Sequence, residues 1–269
     1  MDQIVRTELP AEFQHANERL AGYPVTREPF EYFLIEDIFS PGFYQDLLSK
    51  LPADSAYKWM KSSDVREQNR GLINLNRSAL VRLPAQQRAF WTDVQKWLLS
   101  SVFIEGVMSK FGPEIARRFE GEKKGSRVFA ELKLLRDKVN YALKPHTDSV
   151  NRVLTLMVYL PKDESRRQHG TAIYRPKQSG FRCAGGGRHA FEDFELVTKA
   201  PFLPNSGLCF LKSDTSFHGV EPVNDKNDQR DILSFTLRCR KETPKERVQR
   251  LFASARGIED AWPVETSYL

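Results

Sequence analysis

The chain has 269 residues, 40% hydrophobic, 28% charged and 11% aromatic, which gives one large domain a core of its own and excludes disorder, collagen and coiled coil. No run of about 18 apolar residues occurs, which excludes a transmembrane segment, and three widely spaced cysteines without a CxxC (Cys183, Cys209, Cys239) argue against a disulfide framework or zinc finger. The net charge of +6 comes from scattered basic residues with no RRM, KH or finger signature; a solvated surface is the plain reading, an anionic small molecule the next, and nucleic acid is not expected as a partner.

Met1–Arg6 lacks the basic-then-apolar pattern of a signal peptide, which together with the cysteine usage points to a cytoplasmic protein. Residues 1 to about 120 read mostly helical, with His15 on a helix surface. Glu31–Ile38 looks like a short strand. Ser40-Pro41 then forms a cap and first-turn proline, followed by Phe43, Leu47, Leu48 and Leu51 at helical spacing. A second helical stretch is expected from Pro84 to Val107, with Phe90, Val94, Trp97, Leu98 and Val102 on one face. Gly112-Pro113 breaks that pattern before a short helix at Glu114–Phe119.

From about Val128 the period changes to two. Val128–Leu135, Val153–Leu160, Thr171–Tyr174, Leu208–Lys212 and Asp231–Cys239 read as strands between Gly, Pro, Asn and Asp clusters. No strand–helix–strand alternation appears, so antiparallel strands closing on themselves with helices outside are expected. A long loop from Pro176 to Phe194 carries Gly185-Gly186-Gly187, which follows no clear strand and is not expected to cradle a phosphate. His169 and His189 are expected to be exposed, a substrate-lid role being their alternative. Cys209 and Cys239 read as small core residues, and Trp59, Trp91, Trp97 and Trp262 as packing residues. Thr243-Pro244-Lys245-Glu246 opens a C-terminal helix to Arg256, with Val248, Leu251 and Phe252 on its apolar face. The expected organisation is one domain, 1–269: a helical lead-in and support at 1–127, a β core at 128–240, and a helix and tail at 241–269. The oligomeric state is not legible.

Chemistry concentrates at His146-Thr147-Asp148, just before the strongest strand. Side chains two apart on an extended strand share a face, so an imidazole and a carboxylate can grip one metal from one side. His218, after the strand Leu208–Lys212, is placed to be the third ligand. Two imidazoles and a carboxylate on one face of an octahedron leave three positions open, the donor set of non-haem Fe(II) oxygenases. An HxD alone is weak, and a surface His beside an Asp is its plain alternative; the surrounding residues add weight. Arg230, 12 residues after His218, opens a strand whose Asp231, Leu233, Phe235, Leu237 and Cys239 form a mostly apolar face. Arg230, Ile232, Ser234, Thr236 and Arg238 form the other face, either an outward polar edge or an inner surface. A buried Arg is costly unless it forks onto a carboxylate.

These residues resemble the Fe(II)/2-oxoglutarate-dependent dioxygenases, and within them bacterial hydroxylases distantly similar to prolyl and phytanoyl-CoA hydroxylases. The likeness is loose over Glu31–Met60 and good over Val128–Arg240, through Tyr141–Asp148 (YALKPHTD), Gly170-Thr171, Pro204–Gly207 and His218–Leu237. It implies an α+β fold with a mainly β core: a double-stranded β-helix (jelly-roll, cupin-like) with flanking N-terminal helices and a C-terminal helix. It implies that His146, Asp148 and His218 bind Fe(II), with 2-oxoglutarate and O2 as co-substrates, and that Arg230 binds the distal carboxylate of 2-oxoglutarate, Arg238 being the alternative. Arg136 and Tyr141 resemble positions facing co-substrate or substrate, with a core tyrosine the other reading of Tyr141. The implied reaction is hydroxylation of an unactivated C–H bond of a small molecule, an anionic one among the candidates, such as an amino acid derivative or cell-surface sugar. A carboxylate at Asp148 favours hydroxylation over halogenation; desaturation and epimerisation share the same centre. The rival class is a jelly-roll binding or scaffold protein without catalysis.

Overall fold

The computed structural model describes residues 10–61, 68–121, 126–222, 229–241, 243–244 and 264–265. Among them the helices are α1 (Ala11–Gly22), α2 (Pro41–Ser49), α3 (Arg77–Leu80), α4 (Ala85–Leu98), α5 (Ser101–Ser109) and α6 (Gly112–Glu120). Ser40 caps α2 by accepting a hydrogen bond at its Oγ from the Phe43 amide (3.4 Å), with Pro41 in the first turn. The single helix expected from Pro84 to Val107 is two. Ser100 takes extended backbone (φ −70°, ψ 148°) and its Oγ accepts from the Phe103 amide, so a new helix starts at Ser101. Val102, assigned to the apolar face of a continuous helix, is consequently exposed. The C-terminal helix expected over Thr243–Arg256, with Val248, Leu251 and Phe252, lies outside the described residues, as does Trp262.

The strands are β1 (Tyr32–Ile35), β2 (Lys58–Lys61), β3 (Gln68–Asn74), β4 (Ser126–Lys138), β5 (Leu143–His146), β6 (Arg152–Tyr159), β7 (Thr171–Pro176), β8 (Phe194–Ala200), β9 (Ser206–Leu211), β10 (His218–Val220), β11 (Gln229–Lys241) and β12 (Val264–Glu265). They form two sheets. The larger runs β1-β9-β6-β11-β4-β3-β2, with β12 added to β4; the smaller runs β5-β10-β7-β8. All pairings are antiparallel except the two-residue contact of β12 with β4. No described helix is long and apolar enough to cross a membrane.

Alternation along β11 separates two environments. Leu233, Phe235, Leu237 and Cys239 enter the core shared with the helices, where Phe103 meets Phe235 edge-on at 5.0 Å and Trp97 stacks on Phe13 at 4.7 Å. Ile232, on the opposite face, joins a second core with Tyr159, Ile173, Phe202, Leu208 and Phe210. Both faces are thus covered, and Arg230, Ser234 and Thr236 face inward rather than forming an outer polar edge.

Candidate active site

The small sheet brings the histidines together. His146 ends β5, His218 begins β10, and the two are directly paired across the ladder. Their rings lie 4.4 Å apart, centroid to centroid. Gly219 permits this approach, because a Cβ there would sit 2.5 Å from the Leu143 carbonyl oxygen. Asp148 follows two residues after His146, and its Oδ1 lies 4.0 Å from His146 Nε2 and 3.9 Å from His218 Nε2. One donor atom from each residue falls within 4.8 Å of the others, a spacing that can hold a single metal ion.

Both imidazoles are set up as ligands. His146 Nδ1 donates to the Lys144 carbonyl and His218 Nδ1 to the Ser216 carbonyl, each at 3.0 Å. With the proton fixed on Nδ1, the Nε2 lone pairs are the ones presented towards Asp148. Burial, reinforced by the neighbouring His218, pushes His146 down to about 3; burial also lowers His218. Burial opposes ionisation of Asp148, but His218, Arg152, His146 and the Thr155 hydroxyl outweigh it and hold the carboxyl below its usual range. Arg152 Nη1 contacts Asp148 Oδ1 at 2.9 Å and Thr155 Oγ1 donates to Oδ2 at 3.1 Å.

The glycine run in the long loop serves packing. Gly185, at φ +146°, passes so close to the Asp148 carbonyl that a Cβ would lie 2.4 Å from its oxygen. The loop is held there by Thr147 Oγ1 donating to the Cys183 carbonyl (2.8 Å) and the His189 amide donating to the Pro145 carbonyl (2.9 Å). Neither His169 nor His189 is exposed as expected. His169, at the end of the short helical turn Glu164–His169, is buried, with 9% of its surface exposed. His189 is half-buried among Phe181, Phe194 and Phe217. Cys209 and Cys239 are buried core residues as expected.

The triad opens onto a cavity of about 350 Å3 between the sheets, which also receives Arg230 and Tyr141. Arg230 is fully buried. Its Nη1 donates to Asp137 Oδ2 at 2.9 Å, while Nε and Nη2 have no partner among the described residues. Those two donors lie side by side on one edge of the guanidinium, the geometry that takes both oxygens of a carboxylate. Behind it Asp137, with no exposed side-chain surface, is held by Arg70 through Nε to Oδ1 (2.6 Å) and Nη2 to Oδ2 (2.9 Å). The Arg70 guanidinium also stacks 4.1 Å over the Tyr141 ring. Burial pushes the Tyr141 hydroxyl up and keeps it protonated.

Arg136 does not reach the cavity. On β4 it shares a face with Leu134, Leu132 and Ala130, which belong to the helix-side core. Its Nε pairs with Asp231 at 2.6 Å and its Nη1 with Asp54 at 2.7 Å, above the Tyr57 ring. The period of two that assigns Asp231 to that face assigns Arg136 there as well. Arg238 is on the inner face but pairs with Glu131 (3.1 Å) and does not line the cavity. Sequence reasoning missed Arg70, Lys133, Arg152, Thr155 and Arg188, all of which line it. A polar Thr155 inside the apolar run Val153–Leu160 was the one available signal.

A chain with this arrangement has the fold of the non-haem, 2-oxoglutarate-dependent oxygenases. Among solved structures it is similar to a prolyl 4-hydroxylase from Phytophthora capsici, with 13% identity and a TM-score of 0.52 over 94% of this chain and 77% of that one. It is also similar to two proteins of nogalamycin biosynthesis. These are the α-ketoglutarate-dependent epimerase SnoN (13% identity, TM-score 0.50, 82% of each chain) and the carbocyclase SnoK (11%, 0.50, 95% of this chain and 96% of that one). No protein-family model matches the sequence, and no curated protein matches it.

Proposed function

We propose that the protein is a non-haem Fe(II)/2-oxoglutarate-dependent dioxygenase that hydroxylates a C–H bond of a small molecule, with the strands of 128–240 forming a jelly-roll core to which β1, β2 and β3 of the lead-in add on the larger sheet. The observation that carries this reading is that the His146–Asp148–His218 cluster lines the same cavity as Arg230, a buried guanidinium whose Nε and Nη2 have no partner among the described residues. Two neutral imidazoles and a carboxylate suit a divalent first-row metal and leave positions free for exogenous ligands. A buried guanidinium edge without a partner suits a carboxylate.

In this reading His146, Asp148 and His218 hold Fe(II), which when bound supplies the redox coupling of O2, 2-oxoglutarate decarboxylation and substrate oxidation. The remaining work belongs to the chain. Arg230 receives the distal carboxylate of 2-oxoglutarate on Nε and Nη2, and Asp137, itself held by Arg70, anchors the guanidinium through Nη1. Tyr141, kept protonated, offers a hydroxyl beside it. Leu72, Leu135 and Ile232 form an apolar stretch along the cavity that excludes water.

The test is succinate formation by the purified chain, alongside 2-oxoglutarate binding in the presence of Fe(II) without oxygen. Succinate should require Fe(II), 2-oxoglutarate and O2, and His218→Ala should abolish both metal retention and turnover. Absence of 2-oxoglutarate binding in the wild type, or wild-type iron retention and turnover in His218→Ala, would overturn the assignment.

A further inference from the structure

The register of the large sheet orders the inner face into successive rungs across β3, β4, β11 and β6. The first is Arg70–Asp137–Arg230. The second is Leu72–Leu135–Ile232–Tyr159. The third carries Lys133, Ser234 and Met157, and the fourth Glu131, Thr236 and Thr155; Arg238 faces Arg152 one step beyond. Polar chemistry therefore occurs twice on this wall, with an apolar rung between. From Arg230 to Ser234 is four residues, about 13 Å along an extended strand, further than a five-carbon dicarboxylate spans. The second polar region needs a ligand of its own.

Its composition defines that ligand. Ser234 and Thr236 are 7% and 3% exposed, line the cavity, and among the described residues their hydroxyls have no protein partner. Lys133 and Arg238 share one carboxylate, Glu131, at 2.8 and 3.1 Å, so that cluster carries surplus positive charge. Arg152 Nε is buried without a partner among the described residues, and its Nη1 rests on Asp148, the carboxylate that the metal would take. Buried hydroxyls flanked by cations that outnumber nearby carboxylates are complementary to an oxyanion.

We propose, building on the dioxygenase reading, that this wall is the substrate subsite and that the substrate is a small organic anion. Its carboxylate or phosphate is bound by Lys133 and Arg152, with hydrogen bonds from Ser234 and Thr236. Thr155, opposite Thr236, bonds Asp148, so an anion seated here lies beside the metal ligands and away from the Arg230 fork.

The test uses the full chain with Mn(II) and 2-oxoglutarate under argon, where no turnover occurs. Two matched probe sets are titrated by calorimetry and thermal shift: glycerol, glycerate and glycerol 3-phosphate; glucose, glucuronate and glucose 6-phosphate. At least one anion should bind while its neutral parent does not, the carboxylate and phosphate arms telling the two chemistries apart. Lys133→Met and the double variant Ser234→Ala/Thr236→Val should each weaken that anion about tenfold or more and leave 2-oxoglutarate affinity within about twofold. Equal binding of neutral and anionic probes, no binding of any anion, or anion affinity unchanged in both variants would overturn the proposal. Failure of the wild type to bind 2-oxoglutarate would instead refute the dioxygenase reading beneath it.

Discussion

Replacing Arg230 with Met separates stability from co-substrate binding, because the structure makes opposite demands on this side chain. Without a ligand, Arg230 is a fully buried cation with two donors, Nε and Nη2, unmet among the described residues, each costing about 1–3 kcal/mol. Its contact with Asp137 offsets part of that, but Asp137 keeps both oxygens on Arg70 when Arg230 is gone. The variant leaves no unpaired carboxylate and fills the space with an unbranched apolar chain, an exchange that is often neutral or stabilising. Without ligands, Arg230→Met should therefore melt at or above the wild-type temperature. Its 2-oxoglutarate affinity should fall about ten- to a hundredfold, the equivalent of the 1.5–3 kcal/mol of hydrogen bonds to a charged group. Calorimetry with Mn(II) under argon measures the affinity, and thermal melts with and without 2-oxoglutarate measure the stabilisation that ligand linkage adds to the wild type. Arg238→Met is the control and should leave the affinity unchanged. A destabilised Arg230→Met that binds 2-oxoglutarate normally, or a larger defect in Arg238→Met, would refute the reasoning.

Asp137→Asn should destabilise the chain by about 3–5 kcal/mol in denaturant melts, since it strands Arg70 and Arg230 together inside the protein; an unchanged midpoint would show that the pair finds other partners. Gly219→Ala must move β10 away from the Leu143 carbonyl, and metal titration should show at least a tenfold weaker site as His218 shifts from His146. Arg136→Met should lower stability by uncoupling Asp231 and Asp54 while leaving 2-oxoglutarate affinity unchanged, the opposite signature to Arg230→Met.

The fold was legible where burial follows a period. β4 and β11 carry apolar residues at alternate positions and extend the expected ranges by two or three residues at each end, while β6, buried on both faces, is an almost continuous apolar run one residue out of the expected range. β5 and β10 are four and three residues long and include Pro145 and Gly219, too short for any periodicity and interrupted by residues that usually end strands. β3 was hidden for another reason. Asn69, a polar side chain, occupies one of its buried positions, and Gly71, which packs against Tyr57, leaves another without a side chain. A strand stabilised by its neighbours rather than by its own apolar face leaves little trace in sequence.

The site was legible in its ligands and much less so in their supports. His146, Asp148 and His218 converge because a ladder pairing and a two-residue spacing bring them together; the spacing is visible in the local sequence, whereas the pairing joins residues far apart in the chain. The charged relay behind Arg230 depends on a pairing between strands 93 residues apart, and nothing near Arg230 announces Asp137 or Arg70. Arg136 and Asp137 show how narrow the margin is. They are adjacent, equally charged in magnitude and both buried, yet alternation sends Arg136 to Asp231 beneath the helices and Asp137 to Arg230 beside the cavity. Two antiparallel ion pairs thus cross β4 and β11 at neighbouring positions on opposite faces. A slip of one residue in that register would exchange the faces and put Arg136 in the cavity. The pairs lock the register that aims Arg230 inward, so the salt bridge that removes Arg136 from the site also helps to place Arg230 in it.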